Sequence, residues 1–163
     1  MENRSLQSKT TLCPFAPLCL CPFFRSTKMI PYPKIQEIND NEYRVIQDYR
    51  AILPNGEMIK VLVGFVYDGA SIPRLFWSLI GSPFTGTHSR AAFIHDALYA
   101  AECYDRRICD WLFLQILKIH GCSWIKRNTL WLAVRIFGGF VWKKHTEKSI
   151  KKAKKVVKVD DNI

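Results

Sequence analysis

The chain is short of acidic residues, of long apolar runs and of any ordered cysteine pattern, and each shortage excludes something. Only 14 Asp and Glu stand against 24 Lys and Arg, a net charge of +10 over 163 residues. That balance favours an anionic partner such as nucleic acid or phospholipid headgroups. No stretch reaches the roughly 18 to 20 uninterrupted apolar residues that a membrane-spanning helix needs. The nearest, Thr129 to Trp142, is interrupted by Arg135, Gly138 and Gly139. Six cysteines are present, but none forms a paired CxxC knuckle or an evident disulfide framework, so they read as reduced. Cys103, Cys109 and Cys122 fall in helical patterns, where Cys serves as a small buried apolar residue.

With 48% hydrophobic and 23% charged residues, the composition is that of a chain that folds, and the length suits one core. Residues 1–28 differ from the rest. Their apolar run from Thr11 to Phe24 is broken by Pro14, Pro17 and Pro22, which block a continuous helix. Scattered charge and the lack of a small-x-small cleavage site make it a poor signal peptide, so secretion by this route is not expected. The expectation is a flexible extension or a start misplaced ahead of Met29, then a single domain over 29–142, then a basic tail over 143–163. The predicted location is the cytoplasm or the periphery of a membrane.

Tyr43 to Ala51 and Met58 to Tyr67 are rich in β-branched and aromatic residues and flank Pro54-Asn55-Gly56-Glu57, which predicts a β-hairpin with a tight turn. Beyond Tyr67 the period changes. Ser71 is placed to N-cap, and Pro73 to open, a short helix reaching Ile80. Further helices are predicted over Ser89 to Ala101, Arg106 to His120 and Ser123 to Trp142, with Gly121 separating the last two. The fold class is therefore α+β, an antiparallel ribbon followed by a bundle of about four helices.

His95 and Tyr99, four residues apart, share one helix face, and Asp96 lies about 100° round. Asp110 interrupts a largely apolar surface on the next helix, and a buried carboxylate needs a partner. The short link from Tyr99 to Arg106 makes the two helices antiparallel neighbours, so Asp110 can face back to His95. A carboxylate on one imidazole nitrogen fixes the tautomer and leaves the other as a general base. Asp96 with Asp68 is expected to hold a calcium or magnesium ion through oxygen ligands, with Gly69 allowing close approach of the loop. Plainer roles compete. Asp68 and Ser71 suit helix capping, Asp96 could pair with Arg90 or Arg107, and Asp110 with Arg106. His95 could be a satisfied core histidine, and His88, two turns before it, is a candidate second ligand.

Three motifs in order, Tyr67-Asp68-Gly69-Ala70-Ser71-Ile72-Pro73, then Arg90 to Tyr99, then Cys109-Asp110-Trp111-Leu112-Phe113, resemble the domain-of-unknown-function 1353 family of bacteria and their phages. Arg135 with Phe137-Gly138-Gly139 looks like that family's C-terminal helix. The resemblance covers roughly residues 43 to 142. It implies the domain and the motif positions and no particular reaction. His95-Asp96-x-x-Tyr99 with a later Asp110 is also similar to the HDxxY pattern of secreted and viral phospholipases A2. That resemblance implies His95 as the base that activates water, Asp96 as a calcium ligand and Asp110 as the group orienting His95. No glycine-rich YGxGG loop precedes the pattern; Asp68-Gly69-Ala70 stands there instead.

Three functions follow as expectations. The first is a small metal-dependent hydrolase of lipids or other esters. The second is a non-catalytic phage or prophage structural or assembly protein with the same residues in a buried polar network. The third is a nucleic-acid-binding module using the lysine tail, which no recognised motif accompanies. An anionic membrane surface is a further expected partner, reached through the Trp-rich helix, with Trp124, Trp131 and Trp142, and the lysines from Lys143 to Lys158.

Overall fold

The structure, a computed structural model, describes residues 29–39, 42–68 and 86–160. The short helix expected over 71–80, and with it Gly69 and Ser71, lies outside these residues.

The described part of the chain is α+β. Strands β1 (Ile35–Asn39), β2 (Glu42–Val45), β3 (Tyr49–Ile52), β4 (Met58–Val61) and β5 (Val66–Tyr67) precede helices α1 (Ser89–Ala101), α2 (Arg106–Ile119), α3 (Trp124–Lys143) and α4 (Glu147–Val156), and β6 (Val157–Asp160) closes the set. The expected single ribbon is in fact two antiparallel sheets, ordered β1-β2-β5 and β3-β4-β6. Val45 ends β2 by bonding across to the β4–β5 turn: its N–H donates to the Phe65 carbonyl at 2.8 Å, and its own carbonyl accepts from Gly64 N–H at 2.9 Å. The chain bends there at Gln47 and begins the second sheet at Tyr49.

The predicted turn does join β3 to β4, with Tyr49 opposite Val61 and Ile52 opposite Met58. Its positive φ falls on Gly56 alone, at +91°. Asn55 contributes through its side chain instead, accepting from Glu57 N–H at 3.3 Å and donating to the Tyr104 hydroxyl at 3.1 Å.

Helix α1 is the centre of the molecule: eleven of its thirteen residues are buried. Five of its positions are alanines, which let neighbours approach from several sides, and α2, α4, β5 and β6 all pack against it. Phe93 ties both sheets to it, meeting Tyr49 edge-on at 5.0 Å and Tyr67 at 5.1 Å. Edge-to-face aromatic pairs of this kind add about 0.5–1.5 kcal/mol beyond their buried area. Helix α2 is amphipathic by contrast, turning Cys109, Leu112, Phe113, Ile116 and Leu117 inward.

The lysine-rich end is not a tail. Thr146 and Ser149 form a capping box, each side chain accepting from the other's backbone N–H, and start α4. Ala153 buries against the core, and the chain passes directly into β6, where Val157 pairs with Val61 and Lys60 Nζ reaches Asp160 Oδ2 at 2.6 Å. The lysines from Lys143 to Lys158 are all exposed. The apolar positions between them, Ala153, Val156, Val157 and Val159, pack on or against the core.

Candidate functional site

Three helices meet at one carboxylate. Asp110, in the first half of α2, is fully buried and accepts three hydrogen bonds. Its Oδ1 takes His95 Nε2 at 2.9 Å and the Tyr99 hydroxyl at 2.6 Å, and its Oδ2 takes Arg135 Nη1 at 2.7 Å. His95 and Tyr99 arrive together because they are one turn apart on α1, and their rings stack obliquely at 4.0 Å. Phe113, one turn along α2 from Asp110, closes the other side of the imidazole at 5.1 Å.

Helix α3 comes close enough to deliver Arg135 because residue 138 is glycine. A β-carbon there would sit 2.8 Å from the Tyr99 hydroxyl oxygen, nearer than packed atoms approach. Arg106 then clamps the same turn from α2, donating to the Arg135 carbonyl at 3.2 and 3.3 Å. Trp142 packs edge-on against Tyr99 at 4.9 Å, so this tryptophan belongs to the site's wall rather than to an outer face.

The electrostatics follow from this packing. Burial works against a charged imidazole, but the hydrogen bonds and negative charges of Asp110 and Asp96 outweigh it, so the His95 pKa lies above its ordinary value. Burial likewise pushes Asp110 up, and the hydrogen bonds from His95, Tyr99 and Arg135 more than reverse it, leaving the carboxyl below the usual range. Tyr99 is driven upward by burial and by its bond to Asp110, so it stays a phenol and a donor. The shifts run in opposite directions, each favouring the charged form of its group, and Arg135 balances the Asp110 charge through the carboxylate's other oxygen.

Asp96 is largely buried beside this group. Its Oδ1 lies 3.9 Å from His95 Nδ1, beyond hydrogen-bond reach, and its Oδ2 is buried with no hydrogen-bond partner among the described residues. Tyr67 feels its charge, which puts Asp96 near the end of β5, one residue from Asp68. Asp68 itself is exposed. No group of three or more His, Cys, Asp or Glu able to hold a metal forms among the described residues. The orphaned Asp96 oxygen suits a hard cation, and a third His, Cys or carboxylate to complete such a site is not present among the described residues.

The structure thus brings His95, Tyr99 and Asp110 together, sets Asp96 beside them and leaves Asp68 at the margin. Asp110 pairs with Arg135, not Arg106, and Arg90 lies on the Tyr32 ring and meets His120 Nδ1 at 2.8 Å rather than reaching Asp96. His88 is buried at the N-cap position of α1. Arg135 was the site residue that the pattern of apolar positions did not single out; the clue was an arginine three residues before a glycine on an otherwise apolar helix.

The frame that holds these groups is a small α+β domain with the site on the central helix and its two neighbours. The chain belongs to the family described as protein of unknown function (DUF1353), which matches residues 43–134, from β2 into α3. The match includes His95, Asp96, Tyr99 and Asp110 and stops one residue short of Arg135. The uncharacterized protein y4jT of Sinorhizobium fredii is 35% identical over 98 residues, which are 59% of this chain and 29% of that protein. The chain therefore spans less than a third of that relative's length. No solved structure matches.

Proposed function

We propose that the protein is a small hydrolase of ester bonds, lipid esters foremost, in which His95 is the general base, Asp110 its positioning residue and Asp96 a ligand for a divalent cation. The observation that carries this reading is how the imidazole is divided. Nε2 is committed to Asp110, whose remaining capacity is filled by Tyr99 and Arg135, while Nδ1 looks toward Asp96 across a gap too wide for a direct bond. A nitrogen held in that way is the one that takes a proton from an attacking water. Tyr99 and Arg135 keep Asp110 ionised and still, so the ring cannot turn. The likeness to the HDxxY pattern supports the same division of roles. Calcium or magnesium would bind through carboxylate oxygens and stabilise negative charge on the reacting ester; Asp96 is the ligand supported by its orphaned oxygen, and Asp68 the second.

The test is a screen of phospholipid and simple ester substrates with calcium or with EDTA, comparing wild type with His95→Ala. The expected result is turnover that needs the cation and disappears in the variant. Equal turnover in the two proteins overturns the mechanism.

Burial favours a second reading. His95, Tyr99 and Asp110 are each no more than 1% exposed, as befits a polar network that locks α1, α2 and α3 in a phage or prophage structural or assembly protein. Under that reading His95→Ala lowers stability, and no member of the substrate panel is turned over by the wild type.

A further inference from the structure

Helix α3 is apolar on both sides. Leu130, Ala133, Val134 and Gly138 face the core. On the opposite side Ile125, Leu132, Ile136 and Phe140, spaced seven, four and four residues apart, form one stripe, and each is more than half exposed. An amphipathic surface helix turns such residues in; a helix that is hydrophobic all round is normally covered. Nothing among the described residues covers this stripe, and contiguous exposed apolar surface of this kind marks an interaction site.

Charge selects the occupant. No Asp or Glu occurs from Trp124 to Lys143, while Lys126 and Arg127 flank one end of the stripe and Lys143 and Lys144 the other. A second copy of this chain would bring the same cationic ends, and a net +10, against their like. An anionic lipid surface is complementary. No helix among the described residues is long and apolar enough to cross a membrane, which leaves the interfacial mode. Exposed Trp124, at the start of the helix, is the residue type that settles at the headgroup level.

We propose that the outer face of α3 lies flat in the headgroup–acyl boundary of an anionic bilayer, with Ile125, Leu132, Ile136 and Phe140 inserted and the basic ends on lipid phosphates. This inference does not rest on the hydrolytic reading, and its readout is binding without turnover.

The experiment is flotation of the full chain with vesicles of phosphatidylcholine alone and of equimolar phosphatidylcholine and phosphatidylglycerol. Binding to the anionic vesicles is expected, weakened about tenfold or more by Ile136→Glu with Phe140→Glu. A Lys126→Gln, Lys143→Gln, Lys144→Gln variant should bind more weakly and with a shallower salt dependence. The substituted side chains lie outside the core, so circular dichroism and the melting temperature should not change. Failure of the wild type to float with anionic vesicles overturns the proposal, as does equal flotation by the Ile136, Phe140 double variant. Light scattering in the absence of lipid adds a third arm. A dimer that the double variant converts to monomer assigns the face to a second copy and overturns the lipid surface.

Discussion

Arg135 Nη1 and Asp110 Oδ2 are 2.7 Å apart, joining the middle of α3 to the first half of α2 at a carboxylate from which water is excluded. Removing the cation leaves a buried oxygen with no donor. Arg135→Met, which keeps the stem and deletes the charge, should therefore cost about 3–5 kcal/mol, measured by urea unfolding. A loss under about 1 kcal/mol would mean that the pair contributes no more than an exposed salt bridge.

Gly138 and Tyr99 should be coupled in the same experiment. Gly138→Ala puts a methyl where only 2.8 Å is open, and the overpacking should cost about 1–3 kcal/mol. Tyr99→Phe removes the clashing oxygen together with one donor to Asp110. The double variant should be less destabilised than the sum of the two single changes, and strict additivity would place the strain elsewhere.

The pH dependence has two limbs of opposite origin. His95 is raised above its ordinary 6.5, so its contribution is fully present below that value and is lost as pH rises through the higher folded pKa. Asp110 is lowered below 3.8, so its contribution is present above that value and is lost as pH falls through the lower folded pKa. Urea midpoints should be flat between these limits and decline outside them. His95→Gln should flatten the alkaline decline, and an unchanged alkaline limb would assign it to another group. A general base must be neutral, so turnover should rise with pH over the same interval in which the wild type loses stability.

What could be read from the sequence and what could not divides along physical lines. His95 and Tyr99 were legible because a four-residue spacing fixes a shared face whatever the tertiary structure, and Asp110 because a short linker constrains the next helix. The α+β order was legible from the change of period after Tyr67. Arg135 was not, because α3 is apolar all round and periodicity alone does not say which side turns inward. The split into two sheets was not, because the separation of β2 from β3 rests on cross-links between Val45 and the Phe65–Gly64 turn, residues some twenty apart. The ordered C-terminal segment was hidden for a similar reason. The apolar positions of β6 are too few to stand out among lysines, and their partner strand β4 lies a hundred residues earlier.

Asp96 offers a test of the cation that needs no substrate. If its buried Oδ2 meets a divalent ion, calcium at about 100 times its Kd should stabilise the wild type by about 2.7 kcal/mol, seen as a rise in Tm that EDTA reverses. Asp96→Asn should abolish the rise while leaving the His95–Asp110 bond in place. A Tm indifferent to calcium and magnesium in the wild type would remove the ion from the mechanism.

The C-terminal segment gives the last prediction. Were residues 143–163 a solvated tail, cutting the chain after Trp142 would change charge and little else. Here the cut removes α4, which packs on α1, and β6, whose loss strips β4 of its second partner and leaves it an open edge. It also removes His145, which bonds Glu102 at 3.1 Å where the chain holds a left-handed, non-glycine residue with φ of +44° between α1 and α2. The truncated chain should therefore unfold or aggregate, with loss of cooperative melting and of amide protection in β4. Converting Lys151, Lys152, Lys154 and Lys155 to Gln instead removes four of the eight lysine charges in that segment while sparing Ala153 and Val157, and should leave the melt near that of wild type. If the truncated chain melts like the full one, the C-terminal helix and strand contribute nothing to the fold.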